Sequence, residues 1–410
     1  MQDRLLARDK PNPVVYNERQ DPSRNQTEGM SMSSPVIIGY FNGEIASEEH
    51  IARLRAAAPL LTHVNYAFGL IDEHNRAMLG SPEADIAYAY AGDEGASDLG
   101  GNFRQLQRIK EQYPHLQTLI SLGGWIGSGR FSDAAATPDT RREFVASTIE
   151  LFLTRWPDVF DGIDIDWEYP VCCGLPENSY RAEDRRNCTL LFREFRQQLD
   201  ELGGQTGRRY LLTAALPAGR DLPLRTFEIA EIARILDWIN VMTYDISGST
   251  ESGITNFNAA LHPSPADPRE PDEWRYQNVS GTVETFLGEG VPREKLVVGM
   301  PFYGRGFTGV PDMNHGLYQS FDDQMFVRYH QIVRDLLPVS QRFWHATADV
   351  PWLYNATTGT MLSYDDPESL RLKGEYIRRE RLGGAMFWEL SGDTDDLALL
   401  TAIHEGLGLG

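Results

Sequence analysis

Four carboxylates fall within eight residues of the stretch "DGIDIDWEYP" (161–170): Asp161, Asp164, Asp166 and Glu168. Ile163, Ile165 and Trp167 lie between them, as a buried strand would have it. A strand sends residues i, i+2 and i+4 to one side. Asp164, Asp166 and Glu168 therefore share a face, and the three apolar residues take the other. Like charges held close in a poorly solvated place keep at least one carboxyl protonated. An outermost acid with a raised pKa can give up a proton near neutral pH. A metal cage is the other use of clustered acids, but oxygen-ligand sites usually show loop spacing. A solvated acidic edge would not interleave Ile, Ile and Trp. The spacing predicts general acid–base chemistry and no metal. Asp161 has the opposite parity and reads as a turn or backbone-capping residue.

Such a row needs a scaffold that brings strand ends to one place. Eight short apolar runs serve as candidate strands: "VIIGYF" (36–41), "HVNYAF" (63–68), "TLISLGG" (118–124), "GIDIDWE" (162–168), "LLTAAL" (211–216), "WINVMTY" (238–244), "LVVGMPFY" (296–303) and "GAMFWEL" (384–390). Amphipathic helical stretches such as "TRREFVASTIELFLTRW" (140–156) and "CTLLFREFRQQLDEL" (188–202) alternate with them. This is the pattern of an α/β protein, a closed (β/α)8 TIM barrel. Near-continuous apolar strands fit burial on both faces. In a barrel the acid face points inward and Glu168 emerges at the C-terminal mouth, where barrel enzymes do chemistry. About 60 residues between the seventh and eighth strands lack a long helical period and carry several aromatics. So long a bare loop is uncommon, and the segment reads as a small inserted subdomain. The expected division is a polar, flexible extension over 1–34, a barrel over 35–306 and 366–410, and an insertion over 307–365.

The formal net charge of −21 disfavours nucleic acid and anionic membrane as partners and suits a neutral or weakly cationic ligand. No apolar run approaches the length of a transmembrane helix. The first 34 residues lack the apolar core of a secretory signal. The lone "GRGF" and "GGW" runs are not followed by the Lys-Ser/Thr of a phosphate cradle, and no cofactor is implied. The cysteines are Cys172, Cys173 and Cys188. Two readings stand for them: a disulfide from Cys172 or Cys173 to Cys188, pinning the loop after the acidic stretch, or inert thiols. The chain is expected to be a monomer.

"DGIDIDWE" matches the D-x-x-D-x-D-x-E signature of family 18 glycoside hydrolases, the chitinases and their relatives. The resemblance runs from about Gly39 to Asp393 and recurs strand by strand: "SLGGW" (121–125), "VMTYD" (241–245), "GMPFYGRGF" (299–307) and "GGAMFWEL" (383–390). Each of the smaller motifs is weak alone; all of them in order on the expected strands are specific. The inserted segment also resembles the α+β insertion of the chitinase branch with deep grooves, and Phe343, Trp344 and Trp352 suggest a wall along such a groove.

The resemblance implies hydrolysis of β-1,4 bonds in chitin or chitooligosaccharides, with retention of configuration and without a protein nucleophile. The substrate's own acetamido oxygen would attack the anomeric carbon. Glu168 would act as general acid and then base. Asp166 would hold the acetamido N–H, and Asp164 would share a proton with Asp166. Tyr244 and Asp245 would serve the sugar at the cleavage point, Trp388 would floor its pocket and Met242 would shape the base of it. Trp125 would line the adjoining leaving-group site. Tyr40 and Tyr303 would face the mouth from the ends of the first and seventh strands, and Arg305 would bind sugar hydroxyls or pair with an acid of the barrel. A polymeric substrate favours an extracellular location. Two rival implications are a lectin on the same barrel, which typically lacks the catalytic Glu or Asp, and an endo-β-N-acetylglucosaminidase acting on N-glycans.

Overall fold

The computed structural model describes residues 34–93, 99–246 and 253–410. The expected extension over 1–34 lies outside the described residues except for Ser34. Seven strands, β1 (Val36–Asn42), β2 (His63–Ile71), β3 (Gln117–Gly123), β4 (Gly162–Asp166), β5 (Leu211–Pro217), β6 (Trp238–Met242) and β7 (Leu296–Pro301), are joined by a closing strand, Gly384–Trp388. Every neighbouring pair is parallel, and β1 pairs with both β2 and the closing strand. The sheet thus closes into the expected eight-stranded barrel. Register sets Ser121, Asp164 and Thr213 side by side across β3, β4 and β5, one polar layer of the interior. Ile163 and Ile165 point the other way, into the main core with Phe192, Phe195 and Leu199 of the helix Asp184–Thr206. The strand can approach β5 closely because residue 162 is glycine: a Cβ there would lie 2.4 Å from the Leu211 carbonyl oxygen.

The apolar run at 296–303 does not stay in the barrel. β7 ends at Pro301, the Phe302 N–H donates to the Trp388 carbonyl at 2.8 Å, and Tyr303 opens a second sheet. This sheet has five antiparallel strands in the order Asp323–Arg328, Tyr303–Thr308, Thr360–Ser363, Val350–Asn355, Gln341–His345. It has its own small core, including Phe307, Trp352 and Met361. Trp352 is buried and stacks on Phe343 at 5.2 Å. Trp352 thus belongs to that core and not to the wall expected of it, and Phe343, half-buried, packs against the same core. Trp344 lies against the Arg342 guanidinium. The helix Pro367–Glu380 then returns to the barrel, started by Pro367 and by a reciprocal cap between Asp366 and Ser369.

Candidate active site

Asp164 is fully buried inside the barrel. Its Oδ2 accepts hydrogen bonds from Tyr40 Oη and Ser121 Oγ, both at 2.8 Å. Its Oδ1 accepts from Thr213 Oγ1 and, at 3.1 Å, from Asn240 Nδ2. The donors come from β1, β3, β5 and β6, and none is charged. Burial raises the Asp164 pKa while the four hydrogen bonds oppose it. One pleat outward, Asp166 is pushed well above the carboxylate range, first by burial and then by the charges of Glu168 and Asp164. Its Oδ1 is buried without a hydrogen-bond partner among the described residues.

Glu168 lies two residues beyond the end of β4, so alternation alone does not place it; its main chain does. The Glu168 N–H donates to Ser128 Oγ at 2.8 Å, and its carbonyl accepts from Asn178 Nδ2 at 3.3 Å. Gly174 packs directly on that carbonyl, where any Cβ would come within 2.0 Å of the oxygen. Burial pushes the Glu168 carboxyl up to about 7; Asp245 adds to the rise and a hydrogen bond from Tyr169 opposes it. Asp166 and Glu168 lie close enough to titrate as a pair. The row therefore combines a sequestered inner carboxyl with an outer one that can both give and take a proton near neutral pH.

The rim is assembled from loops. Tyr244 follows β6, and its hydroxyl lies 3.7 Å from Met386 Sδ; burial and the nearby acids hold it protonated. Met242 is buried in the inner cluster with Tyr40 and Met386. Asp245 takes a left-handed backbone conformation, φ 54°, which Asp tolerates better than most residues. Its N–H donates to Asn258 Oδ1 at 3.0 Å, and its Oδ1 accepts from Arg305 Nε at 2.7 Å. Of the two expected uses of Arg305, the pairing with an acid is realised. Tyr303 sits in the second sheet, not at the end of the seventh strand as expected, and meets the Tyr244 ring edge-on at 6.1 Å. Trp388 stacks on Phe68 at 5.7 Å and lies 5.6 Å from Tyr40. Phe68 also backs Gly124, just ahead of Trp125, which is 46% exposed in the short helix Gly124–Gly127.

The structure thus brings Tyr40, Asp164, Asp166, Glu168, Met242, Tyr244 and Trp388 together at the C-terminal ends of the barrel strands, with Asp245, Arg305 and Tyr303 adjoining. Sequence reasoning missed Ser121, Thr213 and Asn240, although each is a polar residue at an inward position of a mainly apolar strand. It also missed Ser128, Tyr169 and Asn178, which act through loops and left no periodic signal. Asp161 caps as expected: it accepts from the Thr118 N–H at 2.9 Å and pairs with Lys110 and Arg208. Of the two cysteine readings, the disulfide to Cys188 is absent, and the inert thiol holds for Cys188 alone. Cys172 and Cys173 are bonded to each other, and Cys188 is a free thiol buried against the barrel.

Residues 36–393 match the family model described as Glycosyl hydrolases family 18. Chitinase A1 of Niallia circulans is 43% identical over 328 residues, covering 77% of this chain and 46% of that protein. The chain spans about half the length of that relative. Among solved structures, the chitinase ChiA74 from Bacillus thuringiensis superposes with a TM-score of 0.83 at 36% identity, covering 92% of this chain and 70% of that one. A family 18 N-acetylglucosaminidase from Paenibacillus barengoltzii gives 0.77 at 32% identity, covering 91% and 99%. With the family pattern matched from the first barrel strand to the last, this chain belongs to the glycosyl hydrolases of family 18.

Proposed function

We propose that this protein is a chitinase that hydrolyses β-1,4 bonds between N-acetylglucosamine units of chitin and chitooligosaccharides, retaining the β configuration through the substrate's own acetamido group. The observation that carries the reading is the graded acid row: Asp164 satisfied by four uncharged donors, Asp166 held protonated, and Glu168 poised at about 7. Glu168 donates its proton to the glycosidic oxygen as the bond to the anomeric carbon breaks. The acetamido carbonyl oxygen attacks that carbon and closes an oxazolinium ring. Asp166 accepts the acetamido N–H on its carboxyl oxygen, while the Tyr244 hydroxyl holds the carbonyl in its attacking pose. Water then opens the ring as the Glu168 carboxylate removes its proton. Trp388, flat on Phe68, offers an apolar floor for the sugar at the cleavage point. In this reading 35–306 and 366–410 form the catalytic barrel, and the insertion, whose sheet begins at Tyr303, borders the groove.

Glu168→Gln keeps the size of the side chain but cannot supply a proton. Turnover of chitin oligomers should fall about 10²- to 10⁴-fold, and oligomer affinity, which rests on stacking and hydroxyl contacts, should fall less than about tenfold. Near-parent turnover would remove the acid row from catalysis. A parent that binds oligomers without cutting them would be a lectin. The product ladder from oligomers of increasing length separates a chitinase from an enzyme that releases single N-acetylglucosamine units.

A further inference from the structure

Strand register fixes what the second sheet presents to the barrel mouth. Tyr303 and Arg305 lie on the same side of their strand, and antiparallel pairing sets Phe326 directly across from Arg305. Since Arg305 reaches Asp245, this side of the sheet looks toward the acid row. The Phe326 ring lies on Tyr303, with centroids 4.6 Å apart and planes 28° apart. The Arg305 guanidinium stands 5.5 Å from the Tyr303 ring and 5.7 Å from that of Phe326. Tyr303 is 3% exposed and Phe326 is 45% exposed. One face of Phe326 is therefore backed by a buried ring, while the side away from Tyr303 is open to water. A single exposed apolar residue is ordinary. This one differs in being held nearly flat on a buried aromatic, with a cation beside it, two ring contacts from Tyr244.

We propose that Phe326 is a specificity-determining residue: backed by Tyr303, its open face is a stacking platform for a pyranose ring of a β-1,4-linked N-acetylglucosamine chain, beyond the sugar held at the cleavage point. The proposal rests on the glycosidase reading above. A pyranose ring presents an apolar C–H face, and stacking on Phe removes that face from water without reading any polar group. The contact therefore senses chain length, not acetylation, and only chains long enough to reach Phe326 profit from it.

The test is kcat and KM for the parent, Phe326→Ala and Phe326→Trp on chitooligosaccharides from the disaccharide to the hexasaccharide, with thermal unfolding of each protein. Phe326→Ala should match the parent on the shortest substrate that is cut. On longer ones its KM should rise roughly three- to tenfold at constant kcat, and Phe326→Trp should restore it. An equal change at every length, or no change at any, overturns the proposal. If the parent cuts no chitin oligomer, the glycosidase reading fails separately. Calorimetric binding of the uncut hexasaccharide then decides on Phe326, and equal affinity of parent and Phe326→Ala would overturn the platform.

Discussion

Replacing Tyr169 by Phe should move the basic limb of the pH profile of kcat/KM upward, and the size of the move follows from what surrounds Glu168. Three influences set that carboxyl at about 7: burial, which raises it most, Asp245, which raises it further, and the Tyr169 hydroxyl, whose hydrogen bond lowers it. The hydroxyl lowers the pKa because it stabilises the ionised form. A general acid must be protonated to act, so kcat/KM of the parent should be half-maximal near pH 7 and fall about tenfold per unit above it. Without the hydroxyl the charged form loses a donor, the proton is held more tightly, and the limb shifts to higher pH. A hydrogen bond to a charged group contributes about 1.5–3 kcal/mol; at 1.36 kcal/mol per unit the ceiling is roughly one to two units. Glu168 is 9% exposed, so water replaces part of the lost bond, and a shift of about half to one unit is expected. At one unit above the parent midpoint, the protonated fraction would rise from about one-tenth to as much as about one-half. Initial rates at substrate well below KM, taken across the pH range, read this directly. A limb that stays put or moves toward acid, in a folded variant with measurable activity, would refute Glu168 as the titrating acid.

Two further outcomes are expected. If the acetamido group is the nucleophile, fully deacetylated chitosan should resist cleavage despite its attraction to a chain of net charge −21, and early products from chitin oligomers should carry the β anomer by NMR; rapid cleavage of chitosan, or α products, would sink the mechanism. Away from the site, Lys373 Nζ lies 2.6 and 2.8 Å from the two oxygens of Asp365, and both side chains are wholly buried. Lys373→Met should cost about 3–5 kcal/mol by leaving a buried charge uncompensated, whereas Lys373→Met with Asp365→Leu should recover most of it, both read by urea unfolding.

How much of this was legible depended on whether the relevant information is local. The inward turn of Asp164 and Asp166 follows from strand parity, a property of the backbone at those residues, and it was read correctly. Where a strand stops is set by its neighbours. Glu168 and Tyr244 both lie past strand ends, held by Ser128, Asn178 and Met386 from elsewhere in the chain. The run 296–303 keeps its strand character throughout, but its partners change at Phe302 from barrel to insertion. Nothing in "MPFYG" names those partners. Aromatic content likewise did not say which rings would be buried: Trp352 lies in the small core with Phe343 half-buried against it, while Phe326, in the plain run "DQMFVR" (323–328), is exposed. The choice between the two cysteine readings was also local in part. Cys188, Leu191, Phe192, Phe195 and Leu199 recur at helical spacing, and that stripe puts Cys188 on the buried face of its helix.

The arrangement also explains how one chain can hold acids in its interior and keep one of them usable. The four hydrogen bonds on Asp164 come from four different strands, so the contacts that satisfy it also tie the barrel closed. A carboxyl so placed cannot relax toward water without breaking the polar layer, and its neighbour Asp166 is kept from ionising by burial and by the charges of Glu168 and Asp164. Glu168 escapes that constraint because it sits outside the strand, fixed through its main chain while its side chain is left to exchange protons. The floor supplies the field and the loop supplies the reach. Had Glu168 been the last residue of β4 itself, the ladder hydrogen bonds of the strand would have claimed the same N–H and carbonyl that Ser128 and Asn178 now use to aim it. In the reading proposed above, the break in the strand is therefore part of how Glu168 is presented as the proton donor.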